Sequence, residues 1–440
     1  MSKAFFNILD YGAAEGGELL CSKAFADAID ACEAAGGGTV YVPSGKYLTG
    51  PLCLKSDMRL LLDAGAYVMF AQNQDEFPVV ASRWEGVDKP VYQSCVYAAD
   101  AHDVSIEGQG VLDGQGEYWW KSQRAGTLKF ARPKLISFHK CNRVTIKNVK
   151  LINSPAWTVN PIYCTNVLVD GITIENPADS PNTDGVNPES CDMVRVQGCY
   201  ISVGDDCVTI KSGTEHAAKR VPCQNVTVTN CVMAYGHGGV VIGSEMSGDV
   251  RNVSISNCVF YQTDRGIRIK TRRGRGGVVE DVRVNNVVMD QVNCPFVINL
   301  YYHCGADGHE KHVWEKVPYP VNETTPTVRR VHFSNITAKD IRSCAGFIYG
   351  LAENYVEDVS FDNVLVMMGD GFEPELPAMM DYLDPMTKKG FYVSYAKDID
   401  FTRVTVTNAD GEAFHVENSE GVRFDGCKAK GCTGDLVKEV

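Results

Sequence analysis

Four short polar motifs carry the side chains on which chemistry could be built. They are NTD at 182–184, GDD at 204–206, GHG at 236–238 and RIK at 268–270. Together they supply three carboxylates (Asp184, Asp205, Asp206), an imidazole (His237), a guanidinium (Arg268) and an ammonium (Lys270). Three carboxylates in one site cannot all ionise freely, because like charges raise one pKa and so divide an acid from a base. Breaking a glycosidic bond needs that division: one carboxyl group protonates the leaving oxygen while another works on the opposite face of the sugar. Arg268 and Lys270 alternate on a strand pattern and so share a face. They suit a carboxylate ligand, Arg by paired hydrogen bonds and Lys as a point charge. Gly185, Gly204, Gly236 and Gly238 flank these groups, and residues without a Cβ let a substrate come close to the backbone.

Taken singly, each motif has an ordinary structural explanation. DD fits a solvated turn, NTDG an Asx turn, GHG a hydrogen-bonded structural histidine and RIK an exposed strand face. Order and spacing change that balance. Asp184 and Asp205 are 21 residues apart, Asp206 and His237 31, and His237 and Arg268 31 again.

That spacing matches a repeat in the elements around the motifs. A phrase of alternating apolar and polar residues recurs from Val144, Val167, Val194, Val226, Val253, Val282, Val331, Val359, Ile399 and Val422, with an earlier copy from Val104. Its period is mostly 23–32 residues, stretching to 40 and 49 where segments are inserted. Alternation of period two makes each copy a half-buried strand. Its fifth residue is Asn or Gly in nine copies (Asn148, Gly171 and Gly198, for example), with Arg403 the exception. Asn and Gly tolerate the left-handed backbone of a sharp bend. Strand, corner, strand, repeated, predicts an all-β chain folded as a right-handed parallel β-helix of about ten coils. Neighbouring coils stack about 4.8 Å apart, so the four motifs converge on one face. A single domain over 1–440 is expected, with a cap region over 1–60 and coils over 100–440. The run SKAFADAIDACEAAGGG predicts a helix that closes the N-terminal end, capped by Ser22, with Phe25, Ile29 and Cys32 on its buried face and Gly36 to Gly38 ending it. Inserts are expected at 70–96 and 294–327.

Composition narrows the function. Lys and Arg number 42 against 55 Asp and Glu, a net charge of −13. That argues against a nucleic-acid partner or a membrane surface. No run of about 18 apolar residues spans a membrane, and the start MSKAFFNILDYG lacks the apolar core of a secretory leader. The 17 cysteines lie largely in strand patterns and read as small apolar fillers in a reducing cytoplasm. No CxxC pair has zinc-site spacing. The run TRRGRGG, with Arg272, Arg273 and Arg275, is the densest basic stretch and marks where an acidic ligand could go.

The set NTD…GDD…GHG…RIK resembles that of the polygalacturonases, glycoside hydrolase family 28, with all four motifs matched and the likeness strongest over 140–302. The resemblance implies hydrolysis of α-1,4-galacturonide bonds with inversion, by a right-handed parallel β-helix, with no metal or cofactor. By position it makes Asp205 the general acid and Asp184 with Asp206 the pair that activates water. It makes His237 the support of the acid, and Arg268 and Lys270 the grip on the galacturonate carboxylate. Asn182 belongs to the substrate-binding set, and Tyr302 is the matching tyrosine, with Tyr301 its rival. SRWEG at 82–86 and RRGRGG resemble the branch that includes bacterial exo-acting enzymes. The expected partner is an acidic oligogalacturonide, imported and trimmed from its non-reducing end, with the inserts closing one end of the cleft. The competing readings are a related hydrolase of another pectic fragment, a calcium-dependent pectate lyase and a non-catalytic carbohydrate-binding β-helix.

Overall fold

The computed structural model describes residues 5–305 and 307–440. Residues 1–4 of the expected cap region and residue 306 of the expected second insert lie outside them. Two compact units are distinguished, Met1–Asp205 and Asp206–Val440, and each is described in its own terms.

The first unit is a ladder of parallel strands. Phe5–Asn7 pairs with Gly38–Val42, which pairs with Met58–Leu62 and then, in turn, His102–Gly108, Asn142–Lys147, Thr165–Asp170 and Asp192–Gln197. The repeat positions meet in register: Val104 with Val144, Val144 with Val167, Val167 with Val194. A second parallel sheet joins Leu52–Cys53, Val96–Ala99, Ile136–His139 and Val159–Ile162. The second unit continues the same pattern, with Val226, Val253, Val282, Val331, Val359, Ile399 and Val422 in successive register. Its other sheet runs from Asp206–Ile210 through Gly238–Gly243, Arg265–Lys270, Cys294–Asn299 and Cys344–Tyr349. Parallel strands joined by coil-sized crossovers in the right-handed sense make this a right-handed parallel β-helix.

The corners explain the recurring Asn and Gly. Asn148, Gly171, Gly198, Asn230, Asn257, Asn286, Asn335, Asn363 and Gly426 all have φ between 53° and 63°. Arg403, the sequence exception, is left-handed as well, at φ 51°. The amides also join across coils, Asn286 Nδ2 donating to Asn257 Oδ1 at 2.8 Å and Asn363 Nδ2 to Asn335 Oδ1 at 2.7 Å. A second left-handed position precedes each phrase: Asp103, Arg143, Asn166, Met193, Asn225, Asn252, Asp281, Arg330, Asp358, Asp398 and Gly421. Its residue types are too mixed to mark it in sequence. Inside, like residues stack on like. Phe333, Phe361 and Phe401 lie with ring centroids 4.7 and 5.1 Å apart.

The helix Ser22–Ala34 forms and buries Ala24, Phe25, Ala28, Ile29 and Cys32 against the first coil. Its cap differs from expectation. Cys21 holds the N-cap position without a side-chain bond, and Ser22 Oγ instead accepts from Gly50 N at 2.7 Å. Ser22 is thus used to tie the helix to the next strand. The inserts are also redrawn. The first contains an antiparallel hairpin, Val79–Trp84 with Val87–Tyr92, turned at Glu85 and Gly86 with φ 49° and 74°. The second begins only after Asn299, because Cys294–Asn299 is a regular ladder strand. A third excursion, 369–388, leaves between Val356–Met368 and Lys389–Ser394; the long spacing from Val359 to Ile399 was its trace in sequence.

The corners generate a stability test. Asn257→Val should destabilise the protein by about 1–2 kcal/mol, the cost of a left-handed backbone for a residue that avoids it, whereas Asn257→Gly should cost less. Thermal melts of both variants check this, and equal losses would contradict it.

Candidate active site

In the first unit, the loop bearing Asn182 and Asp184 is held by buried polar contacts. Asn176 Nδ2 donates to Thr158 Oγ1 and to Thr183 O, at 2.9 and 3.2 Å. Thr158 N donates to Asp184 O at 2.8 Å, and Asn187 Nδ2 to Asp184 Oδ2 at 3.1 Å. The loop is tied to the GDD motif, since Gly204 N donates to Thr183 Oγ1 at 3.3 Å. Gly204 has no room for a side chain: a Cβ there would lie 2.4 Å from Ser180 O and 2.6 Å from Pro177 O. The expectation that this glycine leaves space for a substrate is therefore corrected; its missing side chain is filled by the protein's own loop. Gly238 is similar, its space taken by Val241 and Asp206.

Arg132 was not visible in the sequence, yet it organises this half. Only 2% exposed, it donates to Pro155 O, Pro181 O and Asn182 Oδ1 at 2.8, 2.7 and 2.7 Å. Burial pulls its pKa down to about 10, while the charges of Glu85, Asp184 and Asp205 act to keep it protonated. Asn182, expected to bind substrate, spends its amide oxygen on Arg132. The hairpin leans on the same region. Trp84 stacks on Trp157 at 5.2 Å, Arg132 lies over Trp84 at 5.6 Å, and buried Arg83 pairs with Asp88 and Glu189 at 3.0 and 3.3 Å. Nothing in the motif spacing pointed to Arg132, because it lies outside all four motifs.

In the second unit, Asp206 opens the strand Asp206–Ile210, and His237 immediately precedes Gly238–Gly243. Arg268 and Lys270 lie on Arg265–Lys270, one residue apart and on one face. Lys270 Nζ is 2.8 Å from Asp206 Oδ2 and Arg268 Nη1 3.3 Å from Asp206 Oδ1. All three are buried, at 1% for Asp206, 2% for Arg268 and 6% for Lys270. Burial alone would raise the Asp206 carboxyl. Lys270 and then Arg268 outweigh it, His237 acts in the same direction, and the group is held well below the usual carboxylate range. Asp206 is therefore a fixed carboxylate, able to orient water and unsuited to donate a proton. Both cations are thus tied to Asp206, and they keep the chemistry that attracts an anionic ligand.

The two candidate tyrosines differ in position. Tyr302 faces the cluster, with Lys270 Nζ 5.1 Å and Arg268 Cζ 5.6 Å from its ring centre. Tyr301 is fully buried under Lys316 and Arg273, at 3.8 and 5.2 Å. The basic run does not form the expected ligand patch. Arg273 pairs with Glu353 at 2.6 Å and also donates to His312 O, Glu315 O and Val317 O. Arg275 and Arg272 pair with Glu215 at 2.5 and 3.5 Å. These arginines are buried struts of the second insert. That insert meets the third through His303 and His309, whose Nδ1 atoms lie 2.7 and 2.9 Å from the two oxygens of Asp381. These three side chains also have the types and closeness of metal ligands; their mutual hydrogen bonds account for them here.

The two units thus hold the expected residues in two sets: Asn182, Asp184 and Asp205 around Arg132, and Asp206, Arg268, Lys270 and Tyr302 with His237 acting on Asp206. Asp205 and Asp206 are consecutive in the chain. Replacing Asp206 leaves two buried cations without their anion, which should cost about 3–5 kcal/mol. Asp205→Asn should cost about 1 kcal/mol or less. Because the folded Asp206 pKa is depressed, its contribution is present above the ordinary carboxylate pKa and is lost as pH falls below it. The melting gap between wild type and Asp206→Asn should therefore hold from pH 7 to about pH 5 and narrow as pH falls below about 4; a gap that stays constant below about pH 4 would contradict the assignment.

Comparison with known proteins places this geometry. A family model described as glycosyl hydrolases family 28 matches residues 32–371. A probable polygalacturonase from Vitis vinifera is 34% identical over 373 residues, 82% of this chain and 74% of its own. An endo-polygalacturonase from Pectobacterium carotovorum subsp. carotovorum is 32% identical over 325 residues, 68% of this chain and 71% of its own. The crystal structure of a hyperthermoactive exopolygalacturonase from Thermotoga maritima superposes with a TM-score of 0.74 at 31% identity, covering 90% of this chain and 91% of that one.

Proposed function

The chain belongs to glycosyl hydrolase family 28, the polygalacturonase family, and on that footing we propose that it removes galacturonate units from the non-reducing end of pectin-derived oligogalacturonides, inverting the α-1,4 bond it cleaves. The observation that carries this reading is the pairing of buried Asp206 with both Lys270 and Arg268. Of the adjacent pair, Asp206 is committed to the carboxylate form by Lys270 and Arg268, so the proton for the leaving oxygen falls to Asp205. Asp206 and Asp184 then orient and deprotonate the attacking water from the other face. His237 is the residue that supports the acid. The cations Arg268 and Lys270 receive the sugar carboxylate, and the face of Tyr302 borders them. Asn182, fixed by Arg132, is the remaining contact to substrate.

The exo mode draws support from the excursions. The hairpin Val79–Tyr92 covers the face beside Asn182, seated on Trp157 and Glu189, where a through-running polymer would otherwise lie. The relative from Thermotoga maritima bears an exo name, the one from Pectobacterium carotovorum an endo name. We also place the reaction in the cytoplasm, on imported fragments. No disulfide joins any of the 17 cysteines among the described residues, as suits a reducing compartment.

Time-resolved product analysis on a reducing-end-labelled galacturonide ladder tests the mode. Stepwise loss of single units is expected, and early release of mixed-length oligomers overturns it. Asp205→Asn should lower kcat by about 10²–10⁴-fold, the range for loss of a positioned general acid, with melting close to wild type. A loss smaller than about tenfold would remove Asp205 from that role.

A further inference from the structure

The third excursion, 369–388, ends its fixed run in an unusual side chain. Tyr382 is 81% exposed. A single exposed tyrosine is ordinary, but this one has a left-handed backbone, φ 59°, a region that bulky residues avoid. The residues before it are held one by one. Arg265 Nη2 donates to Leu376 O at 2.7 Å and Arg265 Nε to Pro377 O at 3.1 Å. Asn299 Nδ2 donates to Met379 O at 3.0 Å, and Met380 forms an antiparallel bridge with Tyr302. Asp381 then receives His303 and His309. Tyr382 follows at once, and its ring meets Trp314 of the second excursion, centroids 4.9 Å apart and planes at 64°.

Two excursions thus contribute one aromatic ring each to a pair, exposed Tyr382 and half-buried Trp314. The mount of that pair is the strand that carries Arg268 and Lys270, together with Tyr302. Tyr382 is two residues beyond Met380, so about 7 Å of extended chain separates it from the Tyr302 bridge. An aromatic ring with a polar edge is the surface that a sugar's C–H face covers while its hydroxyls stay wet. We propose that Tyr382 and Trp314 form a distal subsite for a neighbouring sugar ring of the same oligogalacturonide, contiguous with the unit held by Arg268, Lys270 and Tyr302. This rests on the reading of that cluster given above. The rigid attachment, rather than the exposure, carries it: the chain fixes this tyrosine in a costly conformation within one or two sugar lengths of the cation cluster.

The test is KM across a ladder of di-, tri- and tetragalacturonide. In Tyr382→Ala the KM increase should grow with oligomer length, reaching about 2- to 10-fold for the longer substrates, while kcat is retained. Tyr382→Phe keeps the stacking face and should follow wild type. Trp314→Ala should reproduce the length dependence. A Tyr382→Ala profile parallel to wild type at every length overturns the subsite, as does an equal rise at all lengths. If the wild type hydrolyses no galacturonide, the reaction assignment itself falls. Calorimetric binding of the same ladder to Asp205→Asn, with and without Tyr382→Ala, then decides the subsite separately: length-dependent weakening supports it and unchanged affinity overturns it.

Discussion

The constraint on which everything else depends is the in-register parallel ladder. Each backbone N–H and C=O of a strand is satisfied by the equivalent strand one coil away, so a residue's neighbour is the residue at the same phase of the next repeat. Asp206 meets Gly238, Val241 meets Arg268 and Lys270 meets Asn299 because backbone pairing requires it. A slip of one residue would turn every side chain to the other face and would bury Arg268 and Lys270 in the apolar interior. The left-handed corners keep the phase, since they let each strand bend into the next without adding or losing a residue.

On that scaffold, charge does the selecting. A buried aspartate would ordinarily hold its proton. Two cations delivered from one strand two coils away reverse that and commit Asp206 to the anion. The same contact fixes the two cations. Under the proposed function one cluster joins two duties, a carboxylate for the reaction and a cationic seat for the substrate, in a chain whose net charge is −13.

Much of this was legible in the sequence because ladders write themselves as periodicity. The repeat phrase located strands and corners, and the motif spacing located Asp184, Asp205, Asp206, His237, Arg268 and Lys270 on successive coils. The proton assignment was not legible, because like-charge repulsion says only that one carboxyl group differs, not which one. The resemblance of the GDD motif assigned the proton to Asp205, and the pairing of Lys270 with Asp206 supports that reading. Arg132 was hidden because its contacts are mainly to backbone carbonyls, which leave no mark in residue types. The run at 272–275 misled for the opposite reason: arginine density resembles a binding patch, whereas Glu215 and Glu353, far away in sequence, neutralise it. Ser22 carried the right chemistry for a cap and spent it on Gly50.

The register survives its interruptions. Val282 still faces Val331 across the longest excursion, and Val359 still faces Ile399 across the third. Arm length is thus decoupled from strand phase. A lineage could lengthen, shorten or exchange the arms that meet the sugar while inheriting the catalytic strands unaltered. Divergence in substrate preference within such a fold would then proceed as edits to loops, with the reacting groups passed on as a fixed cassette.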